Sequence, residues 1–152
     1  MKRLLIDAYQ VFETLYNGFV EKRDQDVKNV IVLFTGNEDP QTGKSWCPHC
    51  VYAKPVIENA IEGLQNTEQI TFATVKVGHR DEWRKPDNPY RIHKVKINCV
   101  PTLISLKNVS ITFSSCERKG DNDNLILIYL CTYRKTGSPT QWVRVLGQRE
   151  SN

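Results

Sequence analysis

Two of the five cysteines in this chain, Cys47 and Cys50, stand three positions apart in the run Trp46-Cys47-Pro48-His49-Cys50. At the start of a helix that spacing puts both sulfurs within one turn, close enough for a disulfide to close and open with small adjustments. Cys47 at the helix mouth would meet unpaired backbone N–H groups and the positive end of the helix dipole. Both favour the thiolate, which is the nucleophilic form. Cys50, one turn deeper, is then the resolving thiol. It attacks the mixed disulfide that Cys47 forms with a substrate, releases the reduced substrate and leaves Cys47 bonded to Cys50.

The flanking residues tune this chemistry. Pro48 stiffens the short loop, and His49 places an imidazole beside the sulfurs. A protonated ring stabilises the Cys47 thiolate, and a stabilised reduced form makes the disulfide a stronger oxidant. Trp46 is read as an apolar wall that shields the sulfurs and contacts the substrate. Lys44 and Ser45, in the loop entering the motif, are further candidates for substrate binding, although such loop residues are more often simply exposed. A close cysteine pair can also be half of a zinc site, completed here by His79, His93 or Cys99. A structural zinc site usually shows a second close ligand pair, and the sequence has none, so no bound metal is expected. Cys99, Cys116 and Cys131 read as ordinary buried thiols, and His79 and His93 as solvated loop and helix residues. Trp83 and Tyr90 read as packing residues, since no basic patch accompanies them to make a platform for bases.

The elements that must hold the motif follow from periodicity. Residues 3–6 suit a short edge strand. Val11, Phe12, Leu15, Tyr16, Phe19 and Val20 then recur at helical spacing to about residue 21. The continuous apolar run at 30–34, closed by Gly36, has the pattern of a central strand covered on both faces. Residues 37–45 carry Asn, Asp, Pro and Gly and must be a loop that delivers the chain to Trp46. A second helix is expected from Cys47 to about Leu64, kinked near Pro55, where proline lacks a donor and crowds the preceding turn. Residues 70–77 read as another central strand, followed by a polar loop. Asn88 and Pro89 mark a short helix to about His93, and residues 102–106 form a strand after Val100 and Pro101. This alternation argues for an α/β layered domain. Beyond Leu106 the pattern weakens: residues 111–113, 125–133 and 141–145 are strand-like, and 147–152 read as a frayed end.

A chain of 152 residues, 39% hydrophobic and 25% charged, is the size of one domain. The net charge of +4, with acidic residues interspersed, gives little reason to expect a nucleic-acid or membrane partner. The apolar run near the amino terminus ends at Asp7, short of a signal-peptide core, and no run is long enough to span a bilayer. An odd number of cysteines without a ladder of spacings is not a secreted disulfide framework. A cytoplasmic, monomeric protein is the expectation.

Phe34-Thr35-Gly36, then Gly43-Lys44-Ser45-Trp46-Cys47-Pro48-His49-Cys50, Val77-Gly78 and Val100-Pro101-Thr102 together resemble the thioredoxin domain-containing protein 17 family of thioredoxin-related oxidoreductases. The resemblance covers about residues 8–106. It implies a thioredoxin fold, with a central mixed sheet and helices on both faces, over residues 1–106. Residues 107–152 would be a divergent C-terminal segment of the same domain. The resemblance also implies a protein-disulfide reductase in which Cys47 is the nucleophile, Cys50 the resolving thiol and Pro101 a cis proline. Val100 and Pro101 would hold an extended substrate strand beside the sulfurs, with Trp46 and Pro48 at the same site. No bound cofactor is implied beyond the redox-active Cys47–Cys50 disulfide. Electrons would come from NADPH through thioredoxin reductase, and the substrates would be peptide disulfides, cystine or nitrosylated thiols. The loop at 37–45 is longer than the matching turn of ordinary thioredoxins, which could narrow substrate choice. Family members typically carry Asp where this chain has His49, so a more oxidising pair than the family norm is expected. A redox-inert peptide-binding module is the competing reading, but binding alone would need neither thiol.

Overall fold

The computed structural model describes residues 1–22, 29–63, 68, 70–106 and 110–114. Strand β2, Asn29–Thr35, lies at the centre of the sheet. Its alternate residues feed two cores. Val30, Val32 and Phe34 enter one cluster of buried side chains, while Leu33, with Ile31 packed alongside, enters the other. A strand used on both faces has no polar side, which is why its sequence is an unbroken apolar run.

On one side β2 pairs in parallel with β3, Ile70–Lys76, placing Phe34 opposite Val75. On the other it pairs antiparallel with β4, Thr102–Ser105, placing Phe34 opposite Thr102. Strand β1, Lys2–Ile6, adds in parallel to β3, and β5, Ser110–Ser114, adds antiparallel to β4. The five-stranded order is β1-β3-β2-β4-β5.

Helix α1, Tyr9–Lys22, covers one face by burying Phe12 and Tyr16, and the Phe12 ring meets Phe34 edge-on at 5.2 Å. The opposite face is covered by α2, Pro48–Glu62, whose Ala53, Ile57 and Ile61 pack against Leu33, Phe72 and Leu103. Two short helices, α3 (Arg80–Arg84) and α4 (Pro89–Ile92), add Trp83 and Tyr90 to the core beneath α1. A mixed sheet with helices on both faces, and a long helix leaving the central strand with the cysteine motif at its head, is the expected thioredoxin fold.

Several expectations change in detail. The stretch after β3, read as a loop, contains α3. At five residues it is too short to show a helical period, yet it buries Trp83 to 5% exposure. Helix α2, by contrast, keeps its expected span, Pro48–Glu62 with Pro55 inside it. His93, expected to be solvated, is buried. Its ring stands edge-on to Tyr16 at 4.6 Å and to Phe12 at 5.2 Å, and its Nδ1 accepts the Val95 N–H at 3.2 Å. Cys99 is half-buried and disulfide-bonded, so it is not the ordinary buried thiol expected. The strand-like runs at 125–133 and 141–145 and the end at 147–152 lie outside the described residues, as do Leu64, Cys116 and Cys131.

Candidate active site

The central strand and α2 are joined by a connection whose neck is tied down. The backbone N–H of Asn37 donates to the Gly78 carbonyl at 3.1 Å, and the Gly78 N–H returns a bond to Asn37 Oδ1 at 2.9 Å. Trp46 donates its indole N–H to the same Gly78 carbonyl at 2.9 Å. Glu38 and Ser45 form an isolated antiparallel bridge across the loop. The Trp46 ring lies so close over Gly36 that a Cβ there would stand 2.6 Å from Trp46 Cε2. Gly78 has φ near +100°, a conformation that favours glycine.

This frame aims the chain into α2. Ser45 Oγ donates to the Gly36 carbonyl at 3.0 Å and accepts the Cys47 N–H at 3.3 Å. Cys47 occupies the N-cap position in an extended conformation, and Pro48 takes the first turn, where its missing N–H costs nothing. The Cys47 sulfur accepts the Cys50 N–H at 3.4 Å, the bond a capping side chain makes. As a thiol it also donates to the Val100 carbonyl at 3.5 Å. Val100 precedes Pro101 through a cis peptide bond, and Pro101 leads into β4. Both cysteines are free and recessed, with Pro48 and His49 exposed around them.

The two thiols are driven apart electrostatically. Hydrogen bonding from the Cys50 thiol, then from the Cys50 backbone N–H, with a contribution from the nearby His49, pulls the Cys47 pKa down from 9.0 to about 6, against the opposing effect of burial. Such a shift favours the thiolate at neutral pH. Cys50 moves the other way. Its interaction with Cys47 and its own burial hold its proton on, while the Thr35 hydroxyl and the Gly36 N–H act in the opposite direction.

The structure therefore brings together Trp46, Cys47, Pro48, His49, Cys50, Val100 and Pro101 at one end of the sheet. Trp46 is half-buried, and its indole is committed to Gly78. Lys44 and Ser45 line a groove that also reaches Cys50 and Pro101. Among the described residues, no three His, Cys, Asp or Glu side chains converge as metal ligands. His79 stands at the N-cap of α3, and His93 lies within the aromatic cluster under α1. Sequence reasoning missed Thr35, Gly36 and Asn37 as parts of the site. The signal available was their place directly after the central apolar run, where strand ends deliver side chains to a crevice. No helix among the described residues is long and apolar enough to cross a membrane.

A family model described as "Thioredoxin domain-containing protein 17-like, thioredoxin domain" matches residues 9–130. Thioredoxin domain-containing protein 17 of Mus musculus is 42% identical over 83 residues, which cover 54% of this chain and 63% of that protein. The match thus spans a little under two thirds of the mouse relative. Thioredoxin-like protein Clot of Arabidopsis thaliana is 38% identical over 109 residues, covering 70% of this chain and 80% of the plant protein. Among solved structures, oxidised thioredoxin O2 of Arabidopsis thaliana aligns with a TM-score of 0.46 at 16% identity, over 72% of this chain and 77% of its own.

Proposed function

This chain belongs to the thioredoxin domain-containing protein 17-like family, and from its thiol-oxidoreductase type of function we propose that it reduces peptide or small-molecule disulfides through Cys47 and Cys50. The observation that carries this reading is geometric: the Cys47 sulfur caps α2 by accepting the Cys50 N–H at 3.4 Å and lies 3.5 Å from the Val100 carbonyl that precedes the cis Pro101, an arrangement that lowers the Cys47 pKa and raises that of Cys50.

The division of labour follows. Cys47, as thiolate, attacks one sulfur of the substrate disulfide; a Cys47–substrate bond forms, and the other substrate sulfur leaves as a thiolate that takes a proton from water. Once Cys47 is in the mixed disulfide it carries no negative charge, so the largest influence holding the proton on Cys50 is gone. The Thr35 hydroxyl and Gly36 N–H remain to favour the Cys50 thiolate. Cys50 gives its proton to solvent, attacks Cys47 and expels the second substrate thiolate. Two electrons pass to the substrate, and the protein is left with a Cys47–Cys50 disulfide. NADPH acting through thioredoxin reductase is the proposed source of the electrons that restore the dithiol.

Val100 carries the substrate-holding role in this reading. Its carbonyl already lies against the Cys47 sulfur, so a peptide strand paired to the Val100 backbone would lay its own disulfide on the nucleophile. His49 tunes the pair from the rim, and Trp46 and Pro48 form its walls. Peptide disulfides, cystine and nitrosylated thiols are the proposed substrates, and the cytoplasm the proposed compartment.

The test is turnover of a small disulfide by the purified chain with NADPH and thioredoxin reductase. Cys47→Ser should abolish turnover, and Cys50→Ser should accumulate a mixed disulfide visible by mass. Turnover that survives Cys47→Ser overturns the assignment. A chain that binds peptides but is never oxidised would support the redox-inert binding reading, and stoichiometric zinc would support a metal site.

A further inference from the structure

A groove of about 600 Å³ opens between α2 and the β1–β3 side of the sheet, with Cys50 and Pro101 among its lining residues. It therefore runs from Cys50 and Pro101 along α2 and the β1–β3 side of the sheet. Among the described residues its charged lining is unbalanced: Arg3, Lys44, Lys54 and Lys76 stand against Glu38 and Glu58. One carboxylate oxygen of Glu38 is shared by Lys54 at 3.2 Å and Lys76 at 3.3 Å, and Arg3 is paired with Glu58. Among the described residues Lys44 makes no salt bridge, and it is exposed at the rim. The groove also has an apolar element. Leu5 on β1 lines it and is 71% exposed, the most exposed apolar side chain of the sheet's edge strand.

We infer that this groove docks an acidic peptide segment flanking the target disulfide, with carboxylates against Lys44 and Lys54 and an apolar side chain over Leu5. Charge complementarity decides the occupant. A basic segment would meet four cations and find both carboxylates already engaged, whereas an acidic one meets a cation free of salt bridges to the described residues at Lys44 and a second ammonium sharing an anion at Lys54. The volume is that of a site for several side chains. The groove reaches Cys50 and Pro101, both beside Cys47 at the site, so a segment seated in it lies next to the place where a target disulfide would meet the nucleophile. This inference rests on the disulfide-reductase reading and names the substrate class it favours.

The experiment compares three peptide disulfides of equal length whose flanking residues are acidic, neutral or basic, reduced by the full chain at low and at physiological salt. Hydroxyethyl disulfide, small and uncharged, serves as the reference substrate. The acidic peptide should show a KM about tenfold below that of the basic one at low salt, with the difference shrinking as salt rises. The doubly substituted K44E/K54E chain should abolish or reverse that order, and K44R/K54R should keep it; melting temperatures report whether each variant is folded. Equal KM values for acidic and basic peptides, or an order unchanged in K44E/K54E, overturn the docking inference while reduction of hydroxyethyl disulfide leaves the reductase reading intact. If hydroxyethyl disulfide is not reduced at all, the reductase reading fails. The groove is then judged by fluorescence-anisotropy binding of the same peptides with their cysteines replaced by serine, where equal affinities overturn it.

Discussion

The sulfur of Cys47 lies 3.5 Å from the carbonyl oxygen of Val100, a residue fifty-three positions further along the chain. One belongs to the head of α2 and the other to the turn before β4, and β2 pairs with β4 just behind them. The nucleophile and the backbone proposed to receive a substrate are thus held together by the sheet itself, not by the flexibility of a loop.

The ionisation of Cys47 should be directly measurable. Thiol alkylation of the reduced chain should rise with pH through a midpoint near 6 and level off by about pH 8, with Cys47 as the residue modified. The sign follows from the thiolate being the reactive form. A midpoint above 8 would remove the basis for assigning Cys47 as the nucleophile.

His49 contributes to the lowered Cys47 pKa from an exposed position, and it ranks behind Cys50 among the causes. Replacing it by Asp, the residue usual in the family, puts a negative charge where a positive one can form. His49→Asp should raise the Cys47 pKa and make the pair more reducing, by about 10–30 mV on the scale where 30 mV corresponds to about 1.4 kcal/mol. Equilibration with a glutathione redox buffer measures it, and an unchanged or more oxidising potential would count against a tuning role.

Gly36 is a packing requirement. A methyl group there would overlap the Trp46 ring, which is itself tied to Gly78. Gly36→Ala should destabilise the chain by about 1–3 kcal/mol, as overpacking does, with an altered tryptophan fluorescence spectrum. Gly18, with nothing within 4 Å of an added Cβ, is the control: Gly18→Ala should be tolerated or slightly stabilising.

These predictions rest on features of unequal visibility in the sequence. The two-faced central strand was legible because a short apolar run with no polar alternation around Val32 suits a strand covered on both sides, and the cysteine motif because its spacing carries its own chemistry. Helix α4 was legible from Asn88 and Pro89: the Asn88 side chain caps the Tyr90 N–H at 3.1 Å. Helix α3 was hidden because a five-residue helix with one buried residue, Trp83, has no period to detect. The burial of His93 was hidden for a different reason. It depends on α1 rings more than seventy positions away in the chain, and nothing local distinguishes a histidine that will be roofed by Phe12 and Tyr16. Thr35 and Gly36 could be placed at the end of the central run, but their action on the Cys50 thiol could not be read there, since it arises only when α2 folds back over the end of β2.

His93 also yields a prediction about acid stability. Burial lowers its pKa below 6.5, so the folded chain resists a proton that the unfolded chain accepts. The stability this confers is fully present above pH 6.5 and is lost as pH falls from there through the lower folded value. Glu13 favours the charged ring and Lys94 opposes it, so the window is set chiefly by desolvation. Urea midpoints measured from pH 7.5 to 5 should decline more steeply in the native chain than in His93→Phe. Parallel declines would show that another group governs the acid limb.

The tie between Asn37 and Gly78 separates the tip of the active-site loop from its root. Residues 39–44 hang beyond a pinch made by Asn37, Gly78 and the Glu38–Ser45 bridge, so changes at the tip are absorbed before they reach the sulfurs. Lengthening a surface loop costs little free energy. Sequence change can therefore lengthen, shorten or recharge this rim without disturbing the frame that holds Cys47 and Cys50.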